Sequence, residues 1–180
     1  MKKNQTTLVQ EYHLPACKVL FAGFILLMIL LSPSFLAAQQ VKEMGTLLEE
    51  MKQSADAGVR AEAVRLSSLS YDLNSTVYVN SDEIKAFGEG NPVCAEVDTN
   101  AISKLYDENP LFGQVELITV RIKDMAGLSN KLDLSALAGF TNLKYIRVLC
   151  EINCTAAQVE AMLTGSNANV AACYLVSMPQ

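Results

Sequence analysis

The residue types best able to do chemistry in this sequence are its cysteines. Beyond residue 38 the chain has four of them, Cys94, Cys150, Cys154 and Cys173, which allow three complete pairings. A tight turn at residues 151–153 would bring Cys150 and Cys154 within disulfide reach, whereas an extended segment would hold them about 13 Å apart. We predict a local disulfide between these two. A redox role is disfavoured, because the Cys-x-x-Cys spacing of reactive thiols is missing.

Acid–base chemistry has few candidates. The only histidine, His13, lies in an N-terminal segment that we predict to be removed, which leaves no Ser–His–Asp or Cys–His scheme and no histidine-ligated zinc. Glu96 and Asp98 alternate along a predicted strand and would share one face, as paired catalytic carboxylates do. A solvated acidic edge is the favoured interpretation of the same spacing. We therefore expect no enzyme, no cofactor and no metal site, with a carboxylate enzyme as the weakest alternative.

Arginine and tyrosine residues among apolar positions predict a candidate interaction face. If Ile118, Ile146 and Cys173 point toward the core, the alternate residues of their three strands point outward. Arginine and tyrosine amid apolar residues, on an otherwise acidic chain, are typical of a protein interface. Alternatively, the helix predicted over 41–51 or the segment 76–79 covers this face. The aligned outward positions are Leu117, Tyr145 and Ala172, then Thr119, Arg147 and Tyr174, and then Arg121, Leu149 and Val176.

A repeated apolar spacing defines the strands that would position these residues. The spacing apolar-x-x-apolar-x-apolar begins at Val115, recurs 28 residues later at Leu143, and recurs after another 27 at Val170. Recurring strand–helix units predict a parallel α/β solenoid of three to four units, since parallel neighbours need crossover connections. Cys94 and Cys173 would then lie on the first and last strands, too far apart to pair, as small buried hydrophobic residues.

One unit of this pattern resembles a leucine-rich repeat. Its matching residues are Leu134, Leu137, Phe140, Asn142, Leu143, Ile146 and Val148, which stand where that family places its apolar positions and its Asn-Leu pair. The resemblance covers this unit well and its neighbours in part, over about residues 92–176. It implies a leucine-rich-repeat-like α/β fold that serves as a binding scaffold, in a small secreted protein.

Further elements follow from helical patterns. One helical face carries the apolar residues Val41, Met44, Leu47, Leu48 and Met51. Residues 39–68 are therefore predicted to form a helical or partly ordered lead-in. The favoured interpretation is that this lead-in packs on its own domain, and the alternative is that it docks on another protein. A short helix over 81–87 is predicted from Asn80 and Glu83, and another over 99–107 capped by Asp98. Thr155 and Gln158 form a capping box for a later helix. The repeat-like domain is predicted to span residues 69–180.

The first 38 residues have the pattern of a secretory signal peptide. Lys2, Lys3 and Lys18 precede an apolar run over 19–31, and Ala38 ends a small-residue exit, after which we place cleavage. The alternative is a membrane anchor formed by an uncleaved segment 19–38. Loss of three lysines and Glu11 takes the formal charge from −5 to −7. This acidity argues against nucleic acid or an anionic membrane as a partner after cleavage.

These observations predict an exported, non-catalytic binding module with an unknown protein partner. Its location would be secreted, periplasmic or on the cell surface. The alternative function is a structural subunit of a cell-envelope assembly that docks through the 41–54 helix. Either function would place the chain in an oxidising compartment, which fits the cysteine pair and the signal-peptide pattern.

Overall fold

The computed structural model describes residues 41–178, so the predicted signal peptide, its cleavage site and the alternative 19–38 anchor lie outside the described residues. A seven-stranded sheet is the central element. Its strands are β1 Lys42–Glu43, β2 Thr76–Val79, β3 Ile84–Phe87, β4 Cys94–Asp98, β5 Leu117–Ile122, β7 Tyr145–Cys150 and β9 Ala171–Val176. They lie in the order β1-β9-β7-β5-β4-β2-β3. All neighbours are parallel except β2 and β3, which form an antiparallel hairpin. The predicted α/β class with a mostly parallel sheet is therefore confirmed. A separate parallel pair consists of β6 Leu132–Asp133 and β8 Leu163–Thr164.

Helical segments flank the sheet on both faces. The α-helices are α1 Met44–Lys52, α2 Ala57–Tyr71 and α3 Ala156–Met162, and the 3₁₀ helices are Thr99–Tyr106, Met125–Ser129 and Leu134–Ala136. The Asp56 side chain accepts a hydrogen bond from the Gly58 amide and caps α2. Thr155 and Gln158 form the predicted capping box of α3, in which the side chain of each residue accepts a hydrogen bond from the backbone of the other.

The inner face of the sheet contains the larger part of the core. Alternate β-branched residues such as Val97, Ile118 and Ile146 point to this face, where the segments that connect successive strands pack on them. Phe112 and Phe140, from two successive connections, stack with ring centroids 4.5 Å apart. Burial of these connections against the strands stabilises the fold, because a fully buried side chain of this size contributes about 1.5–3 kcal/mol.

Helices α1 and α2 cover part of the opposite, outer face. Met44 and Leu48 of α1 are buried, together with Ala63, Leu66 and Leu69 of α2. Their partners are the outward residues near the amino ends of the strands: Cys94, Leu117, Tyr145 and Cys173. The apolar stripe predicted for the lead-in helix therefore packs on its own domain, which was the favoured of its two interpretations.

Strand β9 pairs one residue away from the predicted register. Arg147 aligns with Cys173 and Val148 aligns with Tyr174, whereas Tyr174 was expected beside Arg147. Cys173 therefore lies on the outer face and Ala172 on the inner one, the reverse of the prediction. Ala172 and Cys173 are both apolar and both buried. The strand therefore has no polar–apolar alternation that could have shown which residues face the core.

One predicted helix is also corrected, and another lacks its predicted cap. Residues 84–87 form strand β3 and not a helix; the Asn80 side chain accepts from the Asp82 and Glu83 amides, as a cap would, but here it closes the β2–β3 turn. The helix predicted over 99–107 is present as the 3₁₀ helix Thr99–Tyr106. Asp98 makes no cap to it, because its carboxylate binds Lys123.

Candidate binding surface

The predicted interaction face divides into three rows that run across the strands. The first row contains Leu117 and Tyr145, and the second contains Thr119 and Arg147, as the β5–β7 pairing aligns them. Leu117, Thr119 and Tyr145 are at most 5% exposed, because α1 and α2 lie over them. These two rows, which we call the amino-end half, are therefore covered by the two helices, in line with the alternative that an N-terminal helix covers the face.

Arg147 of the second row holds the end of helix α2. Its guanidinium donates to the Thr119 hydroxyl at 2.9 Å and to the Ser70 carbonyl, in the last turn of α2, at 3.2 Å. A cation at a helix carboxyl end is favoured by the helix dipole and satisfies a carbonyl that lacks a helical partner. Arg147 therefore has a structural role, and Tyr174, its expected neighbour, lies half-buried against the inner core.

The third row remains partly exposed at the carboxyl ends of the strands. Four half-buried residues align there, one from each neighbouring strand: Asp98 of β4, Arg121 of β5, Leu149 of β7 and Leu175 of β9. Leu175 replaces the expected Val176, which faces the core because of the shifted register. We call these four residues the carboxyl-end strip.

Arg121 is the electrostatic centre of the strip. Its guanidinium donates to Glu96 at 2.6 Å and also forms an ion pair with Glu151. The hydrogen bonds that Arg121 donates to Glu151 and Glu96 raise its pKa further above the usual value, so this group is cationic at every relevant pH. Beside it, Lys123 binds Asp98 at 2.7 Å. Glu96 and Asp98 thus share a face as expected, but each is held by a cation and neither is a free acid.

An open cleft of about 610 Å³ lies at the opposite end of the sheet, between α2 and the first residues of β7 and β9. Its walls include Met51, Val59 and Val170, and its polar side has Glu62, Lys144 and Tyr145. The Tyr145 hydroxyl donates to Glu62 at 2.5 Å, and the Lys144 ammonium lies 3.1 Å from the same carboxylate. The hydrogen bond from Tyr145 lowers the pKa of Glu62, whereas burial raises the pKa of Tyr145.

The polar groups of this cleft continue into a network that the sequence analysis did not identify. Lys144 also lies 3.5 Å from Glu116, which accepts a hydrogen bond from Arg65 of α2 at 2.5 Å. The Arg65 hydrogen bond lowers the pKa of Glu116. Two patterns in the sequence could have indicated this network. Glu116 and Lys144 each precede a strand of the repeat at equivalent positions, and Glu62 and Arg65 share one helix face.

The cysteines divide into a bonded pair and two thiols. Cys150 and Cys154 form a disulfide with a Cα–Cα distance of 6.5 Å, which confirms the local pairing. Cys94 and Cys173 are free and buried beneath α1 and α2, and burial raises the pKa of each thiol to about 11. A thiol with so high a pKa has little thiolate and is a poor nucleophile.

Other kinds of site find no support in residues 41–178. This part of the chain has no group of three histidine, cysteine or acidic residues placed to hold a metal ion. Nor does it contain a helix long and apolar enough to cross a membrane. Comparison of the chain with protein-family models, with curated proteins and with solved structures finds no match.

Proposed function

We propose that this protein is an exported, non-catalytic binding module that takes a protein partner across the carboxyl-end strip. The observation that carries the proposal is the contrast within the outer face. Its amino-end half is closed by α1 and α2, whereas Asp98, Arg121, Leu149 and Leu175 stay half-exposed in one aligned row. An arginine beside two leucines, with a charged rim, has the composition of a protein interface.

We further propose that the scaffold is a short leucine-rich-repeat-like solenoid. Support comes from β2, β4, β5, β7 and β9, which are parallel and successive neighbours in the sheet. Contacts between equivalent positions also support it: Thr141 and Asn142 both donate to the Gly113 carbonyl of the preceding unit, at 2.9 and 2.8 Å. The expected Asn-Leu pair of the repeat thus links one unit to the next, as stacked units require.

The charge of the strip favours a partner with basic and apolar side chains. Three carboxylates, those of Glu96, Asp98 and Glu151, surround the two cations Arg121 and Lys123, which leaves a net negative charge. Leu149 and Leu175 pair in register, and both are half-exposed. Leu175 packs in part against the cluster beneath α1 and α2, so Leu149 offers most of the apolar contact. A polypeptide that places a lysine or arginine next to apolar residues would match both features.

An extracytoplasmic location is part of the proposal. The Cys150–Cys154 disulfide is the feature that supports it, because such bonds persist in oxidising compartments. The alternative function, docking through the 41–54 helix, has less support. Met44 and Leu48 of that helix are buried in its own domain, and Lys42 and Lys52 form ion pairs with Glu50 and Glu49, which leaves little apolar surface for a partner.

A site-specific cross-link tests the proposed surface. A photo-reactive side chain is placed at Leu149, and in a matched variant at Val64, an exposed apolar residue of α2 outside the strip. Recovery of one protein through position 149 and not 64, followed by direct binding of that protein to the purified chain and loss of binding in Arg121→Glu, would support the proposal. Equal cross-linking at both positions, or unchanged binding by Arg121→Glu, would refute it.

A further inference from the structure

Strand β3 leaves one edge of the sheet open. It is the last strand in the order, and within residues 41–178 no strand pairs with its outer side. The Glu83 carbonyl accepts from the Asn80 amide and the Phe87 carbonyl accepts from the Ser75 hydroxyl, so both face β2. Because these groups alternate along a strand, the amides and carbonyls of Ile84 and Ala86 face away from the sheet. They form a short template for a further strand.

Exposed apolar side chains gather beside this edge. Nine large apolar residues are exposed in the described part of the chain, and three of them, Leu73, Tyr78 and Phe87, line a single cleft of about 430 Å³. Leu73 is fully exposed, and the rings of Tyr78 and Phe87 meet edge to face at 5.6 Å. Such a cluster next to an open strand is typical of a surface that a partner covers.

We propose that β3 pairs antiparallel with β3 of a second copy of this chain, with Ala86 on the two-fold axis. A second copy suits this edge because the strand is complementary to itself. Residues opposite each other in an antiparallel pair point to the same face, so a symmetric pairing is centred on either Lys85 or Ala86. The two arrangements differ in which residue stands opposite Lys85.

Charge decides between the two arrangements. Centring on Lys85 would place two ammonium groups directly opposite each other, which is destabilising. Centring on Ala86 places Lys85 opposite the partner's Phe87, in a pair without backbone hydrogen bonds, where side chains approach most closely. Lys85 already lies 5.2 Å from the ring of Phe87 within one chain, so a second cation–π contact suits both residues.

Backbone geometry allows either centre, so the choice of Ala86 rests on charge. Ala86 would exchange two hydrogen bonds with its twin, using the outward groups that β2 does not use. The rings of Tyr78 and Phe87 from both copies would then lie together around the axis, on the part of the outer face next to β3. A four-residue strand and four rings bury less than a standard interface, so the dimer should be weak and dependent on concentration.

Sedimentation velocity over a concentration series tests the dimer. The full chain is expressed with its own N-terminal segment and purified in the form that cells release. We expect wild type to dimerise, and Ala86→Pro to weaken the dimer roughly tenfold or more, because proline removes a central donor that the β2 pairing does not need. Phe87→Lys should do the same by opposing two cations, while Val64→Lys, which adds the same charge on exposed α2, should dimerise as wild type does.

Cysteine cross-linking tests the register. Ala86→Cys should form a disulfide-linked dimer on mild oxidation, since twin residues on the axis have Cα atoms about 5.5 Å apart, within disulfide range. Lys85→Cys should not, since its twin lies further away. Cross-linking by Lys85→Cys alone would overturn the proposal, as would a dimer unaffected by both Ala86→Pro and Phe87→Lys. A wild type that stays monomeric at its highest soluble concentration would also overturn it and would leave the edge for a strand of another protein.

Discussion

At the amino end of the outer face ion pairs attach a helix to the sheet, whereas at the carboxyl end they join neighbouring strands to one another. Glu116 precedes β5 and binds Arg65 of α2. Arg121 is the last residue but one of the same strand, and it binds Glu96 of β4 and Glu151 after β7. The same chemistry thus closes one half of the face and leaves the other half accessible. An alignment of outward residues therefore identifies a face, and only the packed helices determine which part of it is free.

Truncation of one apolar side chain in each half should give the largest difference in stability. Leu66 of α2 is fully buried on the amino-end half, so Leu66→Ala should lower the free energy of unfolding by about 3 kcal/mol through lost burial and a cavity. Leu149 is only half-buried, and Leu149→Ala should cost about 1 kcal/mol or less. Urea unfolding of both variants measures the difference. Equal losses would mean that the carboxyl-end strip is as closed as the amino-end half.

Removal of the disulfide should affect the carboxyl end selectively. The bond closes a short loop, for which chain entropy predicts a loss of about 2 kcal/mol on replacing both Cys150 and Cys154 by alanine. The loop contains Glu151, whose amide donates to the Ile122 carbonyl at 2.8 Å. Hydrogen exchange should therefore show faster exchange at Glu151 while the amides of α2 stay protected. Loss of protection in α2 as well would show that the two halves are not independent.

Acid should weaken the amino-end half through Glu116. Its folded pKa lies below the usual 4.5, so its ion pair stabilises the protein fully above that pH and loses its effect as the pH falls through the lower folded value. Glu116→Gln should cost about 1 kcal/mol at pH 7 and flatten the dependence of stability on pH below 4.5. Glu151→Gln is the matched change at the carboxyl end. An unchanged acid profile for Glu116→Gln would show that this pair does not secure α2.

Arg121→Ala should have the smallest effect on stability and a large effect on binding. Its side chain is 36% exposed, and partly exposed ion pairs contribute about 0–1 kcal/mol. Thermal unfolding should therefore change little, while binding to a partner found by cross-linking at position 149 should fall. A large loss of stability would instead assign Arg121 the structural role that Arg147 has in the second row.

Prediction from sequence succeeded where polar and apolar residues alternate clearly between the two faces of an element, and it failed where they do not. The β5–β7 register followed from Ile118 and Ile146, because polar Thr119 and Arg147 alternate with them. Strand β9 carries Ala172, Cys173 and Leu175, which are apolar on both faces, so a shift of one residue left the pattern equally satisfied. The local disulfide was predictable because its geometry depends only on a short loop.

Other features depend on contacts that no local pattern contains. Asn80 and Glu83 satisfy the requirements of a helix cap and of a hairpin turn alike, and only the pairing of Ile84–Phe87 with β2 selects the turn. The network of Glu62, Arg65 and Lys144 arises where α2 crosses the first residues of the strands. The apolar stripe of α1 was evident, but the surface on which it packs was not.

The two buried thiols make the attachment of the N-terminal helices directly measurable. Cys94 and Cys173 lie beneath α1 and α2, and no disulfide includes them. An alkylating reagent added to the native protein can reach them only when the helices lift from the sheet, so the rate of labelling reports the free energy of that opening. The chain therefore carries its own reporter of local unfolding, at two positions and without an added label.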